Sequence, residues 1–325
     1  MRVAAEAGVG LGEACHRERV PVLRLSLPVI LAVTLALGAC SGGASERRTE
    51  SERPSPAGAA TQRQPELSYV ALGDSFTAAP GIPETDGSDG CLRSSRNYPS
   101  LVAERLEDDY DIELADRSCS GADTSSLAGE QAIGREPRPP QLDALDRDTD
   151  LVTLSIGGND FGVFLRLVGG CVALSAEDPE GSPCRDAAEG RGDLLAETQS
   201  QIEGRLVRAI EEVERRSPRA QLLVVGYPQL APARGACPEL LPLASGDVQF
   251  ARGVNRGLTA NLARAARRTD TSYVDVWRAS EGHDICADEP WVNGQTGVQG
   301  GAIPFHPLPA GQHAIADLVL AEVRG

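Results

Sequence analysis

Short apolar runs that alternate with amphipathic helical segments restrict the fold of this chain more than any other feature. The runs lie at residues 67–72, 112–115, 151–156, 222–226 and 273–276. Runs this short, bounded by turn residues, are typical of parallel strands buried on both faces. Segments with an apolar stripe opposite charged residues lie between or after them, at 98–106, 194–216, 254–268 and 312–323. The alternation predicts an α/β fold, a doubly wound three-layer α/β/α sandwich with a parallel sheet of about five strands.

The loops of such a fold carry its function, because functional residues collect at the carboxyl ends of parallel strands. Three excursions, roughly at 77–96, 169–192 and 227–247, exceed ordinary loop lengths. We expect these excursions to build the substrate site.

Composition excludes several classes of function. The formal net charge is −16 and the chain contains no lysine. Binding to nucleic acid needs clustered positive charge, and docking on anionic lipid needs basic residues as well. A phosphate-binding P-loop requires lysine. No Cys-x-x-Cys motif occurs and there are only 4 histidines, so we expect neither a metal nor another cofactor.

The N-terminal region has the features of an export signal. Arg17, Arg19 and Arg24 precede an apolar run at 25–37, which is too short to span a bilayer comfortably. Small residues follow and lead directly to Cys40. A charged region, an apolar region and small residues at a cleavage site define a secretory signal. A cysteine directly after the cut resembles the bacterial lipobox, whose cysteine is lipid-modified; the alternative is a plain secretory signal.

These patterns predict three parts of the chain: a lipoprotein signal peptide at 1–39, a lipid-anchored flexible tether at 40–66 and a folded domain at 67–325. The tether is rich in Ser, Gly, Pro, Arg and Glu and lacks apolar periodicity. The predicted location is the extracytoplasmic face of the cell membrane, with Cys40 as the anchor, or alternatively the secreted fraction.

Cysteine usage agrees with export. Of the 8 cysteines, Cys15 and Cys40 lie in the N-terminal region and the rest lie in the predicted domain. An even number in an exported domain indicates disulfides, although the count leaves the connectivity open. We predict sequential pairing, because each sequential pair brackets one loop-rich excursion. The predicted pairs are Cys91–Cys119, Cys171–Cys184 and Cys237–Cys286.

Four short blocks carry the chemistry of the domain. They are Gly-Asp-Ser-Phe at 73–76, Ser-Cys-Ser-Gly-Ala at 118–122, Gly-Gly-Asn-Asp at 157–160 and Phe-His-Pro at 305–307. The α/β-hydrolase elbow Gly-x-Ser-x-Gly is absent, because Thr77 follows two residues after Ser75. Together the blocks resemble the SGNH (GDSL-type) hydrolase family, and most closely its actinobacterial secreted lipase and esterase branch. That branch also has three disulfides and a stretch similar to 282–294.

The resemblance implies a role for one residue of each block. Ser75 is the nucleophile and His306 its general base, which agrees with the need of a serine hydroxyl for a neighbouring imidazole. The oxyanion hole consists of the backbone N–H of Ser75, the N–H of Gly121 and the side-chain amide of Asn159. Without the other blocks, Ser75 would read as a helix N-cap.

One position departs from the family pattern. Most members place an aspartate three residues before the histidine, where this chain has Ile303. Some members of the branch use a main-chain carbonyl at that position, so we expect the carbonyl of Ile303 to orient His306. Asp284 is the alternative. His283 and Trp291 either line the substrate pocket or order the last long loop.

We therefore expect a monomeric carboxylic-ester hydrolase, a lipase or esterase, that forms an acyl-serine intermediate and acts on acyl esters of lipids or small alcohols. A carbohydrate acetylesterase is the alternative among enzymes. A solute-binding lipoprotein is the alternative without catalysis, because a lipobox, a tether and an α/β domain also describe that class. Hydrolysis of esters longer than acetate would exclude the first, and labelling by a fluorophosphonate would exclude the second.

Overall fold

A parallel sheet of five strands forms the centre of the fold. The computed structural model describes residues 64–325 except 135, 191–193 and 297–298. The strands are β1 (Glu66–Gly73), β2 (Thr85–Asp86), β3 (Arg93–Ser94), β4 (Asp111–Asp116), β5 (Leu151–Ser155), β6 (Gln221–Val225) and β7 (Ser272–Val274). The central order is β4-β1-β5-β6-β7 with every neighbouring pair parallel, and β2 pairs with β3 in a separate antiparallel ribbon.

Helices connect the strands. They are α1 (Ser75–Ala78), α2 (Tyr98–Leu106), α3 (Ser125–Ala128), α4 (Val163–Leu165), α5 (Cys171–Ser175), α6 (Pro183–Glu189), α7 (Leu194–Arg216), α8 (Val248–Arg268), α9 (Val276–Ala279) and α10 (Pro309–Arg324). Short 3₁₀ turns lie at Gln141–Ala144, Asp160–Gly162 and Gln299–Gly301, and a π-helical turn at Arg166–Gly170. Among the helices of the described residues, none is long and apolar enough to cross a membrane.

The sheet is buried on both faces, as its apolar strands predict. In β1 the side chains of Leu67, Tyr69 and Ala71 join one core, which α2 and α10 complete. The alternate side chains Val70 and Leu72 join the other core, together with residues of α7 and α8. This alternation follows from the two-residue period of a strand. It confirms the predicted α/β fold with helices on both sides of a parallel sheet.

The strand order places the first three sequence blocks side by side. β1 lies between β4 and β5, so the chain builds the sheet first in one direction and then in the other. At such a switch point the connections leave toward opposite faces and open a crevice at the carboxyl ends of the strands. Blocks one, two and three follow β1, β4 and β5, so all three lie at this crevice.

The structure differs from the sequence prediction in the excursions and at one strand end. The excursion at 169–192 contains α5 and α6, which were not predicted. The last strand ends at Val274, and Val276 already belongs to α9. The carboxylate of Asp275 accepts the N–H of Arg278 at 3.0 Å and so caps this helix, which stops the strand earlier than its apolar residues indicate.

Candidate active site

The turn after β1 carries a serine at the crevice. Asp74 caps α1 by accepting the N–H of Phe76 at 2.9 Å, and Ser75 is the first residue of this one-turn helix. The turn is tight, because a Cβ atom at Gly73 would come within 2.8 Å of the carbonyl oxygen of Ser155. Glycine is therefore required where the strand ends, and the local sequence fixes where the Ser75 hydroxyl points.

The Ser75 hydroxyl lies against a histidine from the other end of the domain. His306 Nε2 is 2.9 Å from Ser75 Oγ, and His306 Nδ1 is 2.8 Å from the carbonyl oxygen of Pro304. A carbonyl oxygen only accepts hydrogen bonds, so Nδ1 carries the proton of the neutral ring. Nε2 then presents its lone pair to the serine hydroxyl. This is the arrangement that a general base requires.

The carbonyl that orients the histidine is not the expected one. We expected the carbonyl of Ile303, but the ring contacts Pro304 O instead. Ile303 O accepts the backbone N–H of His306 at 3.3 Å, so it closes a turn and faces away from the ring. Phe305 has a left-handed φ of 62°, which rotates the backbone between the two residues. The acceptor is a main-chain carbonyl as predicted, one residue nearer to the histidine.

Asp284 does not take that position either. Its carboxylate accepts the N–H of Cys286 at 2.9 Å and orders its own loop. Pro304 O and the serine hydroxyl already occupy both ring nitrogens of His306. Nearby, the rings of His283 and Trp291 stack with centroids 4.8 Å apart, and His283 Nδ1 lies 2.7 Å from Glu289 O. These contacts favour a role for this pair in loop order.

The three predicted oxyanion donors have hydrogen atoms available for a ligand. Within the described part of the chain, the backbone N–H groups of Ser75 and Gly121 donate to no acceptor. Gly121 is exposed and has a left-handed φ of 78°, a conformation that favours glycine. The Asn159 amide donates one hydrogen to Ala122 O at 2.9 Å, which leaves its second hydrogen free for a ligand.

A buried aspartate ties the second block to the third. Asp160 is fully buried, and its carboxylate accepts both the N–H and the hydroxyl of Thr124, at 2.9 and 2.6 Å. Arg205 on α7 donates to the same carboxylate at 2.8 Å. Thr124 follows Gly121 closely and Asp160 follows Asn159 directly. These bonds therefore fix the loop that carries Gly121 relative to the loop that carries Asn159.

Tyr227 is a site residue that the sequence analysis missed. Its hydroxyl donates to Asp74 Oδ2 at 2.5 Å and accepts the N–H of Gly158 at 3.0 Å. It therefore joins the nucleophile turn to the turn that carries Asn159. Burial raises the pKa of Asp74 to about 7, against the effect of the Tyr227 bond, which lowers it. Tyr227 follows the carboxyl end of β6, so the rule that located the four blocks would have found it.

Asn293 holds the loop that carries the histidine. Its backbone N–H donates to His306 O at 2.9 Å, and its carbonyl accepts the N–H of Phe305 at 3.0 Å. Its side-chain amide donates to Ala302 O at 2.6 Å. The residue is 2% exposed and lies in the stretch 282–294 that carries part of the family resemblance. Three hydrogen bonds of Asn293 therefore hold the main chain between Ala302 and His306 in place.

Gln312, also missed from the sequence, links α10 to the catalytic turn. Its side chain donates to Phe76 O at 3.0 Å and accepts the N–H of Tyr98 at 2.6 Å. Both groups lie in the interior, because Gln312 is fully buried. The final helix is thus positioned directly against the helix that begins with Ser75.

The surroundings of the pair are aromatic. The rings of Phe76 and Phe164 lie 5.5 and 5.7 Å from the His306 ring, centroid to centroid. The Tyr227 ring packs on Phe76 at 5.3 Å. Burial in this environment lowers the pKa of His306 below its ordinary value of 6.5, and the bond to Pro304 O partly opposes that effect. The imidazole is therefore held in its neutral, basic form.

The cysteines of the domain form disulfides in the predicted sequential order: Cys91–Cys119, Cys171–Cys184 and Cys237–Cys286. The first lies beside block two, where the N–H of Ser120 donates to Cys91 O at 3.0 Å. Within the residues that the structure describes, no group of His, Cys, Asp and Glu is arranged to hold a metal ion.

Known proteins share both the sequence and this fold. Lipase 2 of Streptomyces coelicolor is 36% identical over 273 residues, which cover 80% of this chain and 86% of that protein. The crystal structure of an extracellular lipase from Streptomyces rimosus superposes with a TM-score of 0.63 at 26% identity, covering 78% of this chain and 99% of that one. Phospholipase A1 from Streptomyces albidoflavus gives a TM-score of 0.62 at 27% identity, with coverage of 80% and 99%.

The GDSL-like lipase/acylhydrolase family matches residues 71–314. This span runs from the end of β1 into α10 and includes all four blocks, so it covers most of the chain. The chain therefore belongs to the GDSL-like lipase/acylhydrolase family and is a serine ester hydrolase.

Proposed function

We propose that the chain hydrolyses carboxylic esters through an acyl intermediate on Ser75, with His306 as the general base and acid. The observation that carries this proposal is the 2.9 Å contact between Ser75 Oγ and His306 Nε2, in a ring whose opposite nitrogen faces Pro304 O. A serine hydroxyl is a weak nucleophile until a neighbouring base takes its proton. Here the base is close, neutral and correctly protonated.

In the first half-reaction Ser75 Oγ attacks the ester carbonyl carbon while its proton passes to His306 Nε2. The carbonyl π electrons move to the oxygen, and the N–H groups of Ser75 and Gly121 and the amide of Asn159 donate to that oxyanion. The tetrahedral intermediate then collapses. The bond to the alcohol oxygen breaks, that oxygen takes the proton from the imidazolium, and the alcohol leaves.

In the second half-reaction a water molecule attacks the acyl-Ser75 carbonyl, and His306 Nε2 takes the water proton. The same three donors stabilise the second oxyanion. Collapse returns the proton to Ser75 Oγ and releases the carboxylic acid, so the free enzyme is regenerated. Every proton of the cycle passes through the single imidazole.

The substrate in this proposal is an acyl ester of a lipid or a small alcohol. Aromatic rings of Phe76, Phe164 and Tyr227 surround the reacting atoms, and such a surface gains more from an apolar acyl group than from a sugar. The relatives from Streptomyces include enzymes named lipase and phospholipase A1, which supports the same class.

The protein acts outside the cytoplasm, as its disulfides suggest. In the finer form of the proposal, residues 1–39 are a lipoprotein signal peptide, Cys40 carries the lipid and residues 40–66 are the tether of the enzyme domain at 67–325. All of these N-terminal positions up to 63 lie outside the described residues, and the support for them is the sequence pattern.

Substitution of the serine tests the reaction. Ser75→Ala should abolish hydrolysis of p-nitrophenyl esters and labelling by a fluorophosphonate, while circular dichroism and the melting temperature stay close to wild type. Ser200→Ala is the matched control, because Ser200 is exposed on α7. Intact mass spectrometry should find one adduct in the wild type and in the control. A folded Ser75→Ala protein that still hydrolyses esters would refute the nucleophile, and a wild type that takes no label would favour a binding protein.

A further inference from the structure

Arg205 is a charged side chain beside the site that the proposed reaction does not use. It lies on α7 and makes two contacts with the turn that follows Asn159. Its Nη1 donates to Asp160 Oδ1 at 2.8 Å, and its Cζ lies 4.2 Å from the centroid of the Phe161 ring. The Arg205 side chain is 35% exposed, whereas Asp160 is fully buried. The guanidinium therefore reaches from the surface to the two residues that directly follow a predicted oxyanion donor.

The turn that Arg205 contacts has a strained backbone. Phe161 has a left-handed φ of 54° and Gly162 has one of 67°. A left-handed conformation is unfavourable for a residue with a side chain, and it persists only where surrounding contacts hold it. In the same turn the N–H of Gly162 donates to Asn159 O at 2.9 Å, and the N–H of Phe164 donates to Gly158 O at 3.0 Å. A contact that holds Phe161 in this conformation therefore also fixes the backbone of Asn159.

Arg205 also balances a buried charge. In the described part of the chain, the other donors to the Asp160 carboxylate are the N–H and the hydroxyl of Thr124, which are neutral. A buried carboxylate without a cation is costly. Its charge, one residue from Asn159, would also oppose the negative charge that develops on the substrate oxygen. Burial is the main cause that raises the pKa of Asp74 to about 7, and the charge of Asp160 adds to that effect, so this charge acts on the nucleophile turn as well.

We propose that Arg205 is a positioning residue for the oxyanion hole: it neutralises Asp160 and holds the turn at 159–162, so that the Asn159 amide stays directed at the oxyanion. The inference rests on the proposed function and adds a residue to its machinery. Arg205 acts through Asp160 and Phe161 and not through contact with a reacting atom. The Asn159 amide donates most strongly when the substrate oxygen becomes negative, so a misplaced amide weakens the transition state more than the bound ester.

Two variants at position 205 and one control test this role. Arg205→Met removes the charge and keeps an unbranched side chain, whereas Arg205→Lys keeps the charge and loses the planar guanidinium. Arg264→Met is the matched control, because Arg264 on α8 is 40% exposed and donates to Glu203 on α7 at 2.6 Å. Within the described residues, the side-chain bonds of Arg264 go to Glu203 and Asn261, and neither residue lies on a catalytic turn.

The measurements are kcat and KM for p-nitrophenyl acetate and the inhibition constant Ki of a trifluoromethyl ketone, all with the full chain. Ser75 Oγ adds to the carbonyl carbon of the ketone, the serine proton passes to His306 Nε2, and the carbonyl oxygen becomes a stable oxyanion. The corresponding trifluoromethyl carbinol has no carbonyl and binds without adding to the serine. A comparison of the two inhibitors therefore separates stabilisation of the oxyanion from binding of the ground state.

We expect Arg205→Met to lower kcat about 10- to 100-fold with KM within about twofold of wild type, because the amide donor remains but is less well placed. The Ki of the ketone should rise by a similar factor, and the Ki of the carbinol should stay within about twofold. Arg205→Lys should recover part of kcat, because it keeps the charge beside Asp160. Arg264→Met should change none of these values. An unchanged kcat in folded Arg205→Met protein, or equal increases in both Ki values, would overturn the proposal.

Two further comparisons keep the proposal testable. If Arg205→Met protein does not fold, Arg205→Lys should still raise the ketone Ki at least about threefold without changing the carbinol Ki. Asp160→Asn removes the buried charge and keeps an amide oxygen for the bonds of Thr124. In that background Arg205→Met should lower kcat at least about threefold less than it does in the wild type, because the two residues are coupled. Equal losses in the two backgrounds would overturn the proposed charge balance.

The wild type separates this inference from the proposed reaction. A wild type that hydrolyses no ester and is not inhibited by the ketone would overturn the reaction, and the role of Arg205 with it. A wild type that is active and inhibited, beside an Arg205→Met protein with the same kcat and the same ketone Ki, would overturn only the role of Arg205.

Discussion

Pro304 gives His306 a neutral hydrogen-bond acceptor, where a serine hydrolase triad has a carboxylate. A carbonyl fixes the tautomer as well as a carboxylate does, but it adds little charge stabilisation to the imidazolium. Burial of the ring further disfavours the charged form. The two effects together make His306 a weaker base that remains neutral at lower pH.

The ordinary pKa of histidine is 6.5, and burial lowers the pKa of His306 below that value. We therefore expect the acid limb of the kcat/KM profile to lie below pH 6.5. The neutral ring is the active form, so a lowered pKa extends activity toward acid. The measurement is hydrolysis of p-nitrophenyl acetate against pH. Asp74→Asn is the control, because the pKa of Asp74 is raised to about 7 and its titration would add a second limb. An acid limb at or above the ordinary histidine value in Asp74→Asn protein would contradict this assignment.

Tyr227 should act as a positioning residue. Tyr227→Phe keeps the ring and removes the bonds to Asp74 and to the N–H of Gly158, so the turn that carries Asn159 loses its connection to the nucleophile turn. Removal of an oxyanion donor itself costs about 100- to 1000-fold in rate. We expect a smaller loss, about 10- to 100-fold in kcat, with KM nearly unchanged, because the donor remains but is less well placed.

Tyr273→Phe is the control for Tyr227→Phe. The Tyr273 hydroxyl forms a half-buried contact to Thr259 Oγ1 at 3.0 Å, which joins β7 to α8 and does not reach either catalytic turn. Tyr273→Phe should lower the free energy of unfolding without lowering kcat in the folded protein. If both variants lose stability and neither loses kcat, Tyr227 has only a structural role.

The sequence predicted that Ser75 and His306 lie together, because each lies in a short local block, and the structure places Ser75 Oγ 2.9 Å from His306 Nε2. The oxyanion roles of Gly121 and Asn159 stay predictions. The sequence did not predict Pro304 as the acceptor. That choice depends on the left-handed φ of Phe305, which is rare for a residue with a side chain and has no local pattern. The side-chain amides of Asn293 and Gln312 are buried and bond to residues elsewhere in the chain. No local sequence pattern indicates such bonds.

Among the elements, the excursion at 169–192 departs most from its prediction as a loop. Its two helices are short, and Cys171 in α5 is bonded to Cys184 in α6. Helices of this length are marginal without tertiary contacts, so their apolar periodicity was too brief to recognise. Both cysteines line an apolar cavity of about 510 Å³, so this disulfide is part of the cavity wall.

Removal of this disulfide should lower the free energy of unfolding by about 3 kcal/mol, as loop-closure entropy implies. Chemical denaturation of the Cys171→Ser/Cys184→Ser protein measures this loss. The double substitution Cys91→Ser/Cys119→Ser is the comparison and should lower the free energy of unfolding slightly more, because its sequence separation is 28 residues and that of the 171–184 bridge is 13. An unchanged free energy of unfolding without the 171–184 bridge would contradict the prediction.

At the scale of the molecule, the fold was predictable because each central strand is a short apolar run. The five predicted runs match β1, β4, β5, β6 and β7, with ends that differ by at most two residues, as is usual for boundaries. The order β4-β1-β5-β6-β7 was not predicted. Pairing partners depend on tertiary packing, which one strand does not encode.

The proposed membrane location of the protein depends on Cys40. Cells that express the wild type should incorporate labelled fatty acid into the protein and retain it in the membrane fraction. Cys40→Ser should abolish the label and either release the protein or leave it unprocessed, because the thiol that is proposed to carry the lipid is absent. Cys15→Ser is the control and should keep the label. A wild type without label would show that the signal is a plain secretory one.

The nucleophile and the base are 231 residues apart in the chain, and this separation matters during synthesis. The ribosome delivers the serine early and the histidine only after every strand of the central sheet. Contacts between such distant positions form late in folding, because the chain must first close the intervening loop. A nascent or translocating chain therefore carries a serine hydroxyl without its base. In the proposed mechanism such a chain hydrolyses no ester, and activity begins only when the segment that carries His306 docks beside Ser75.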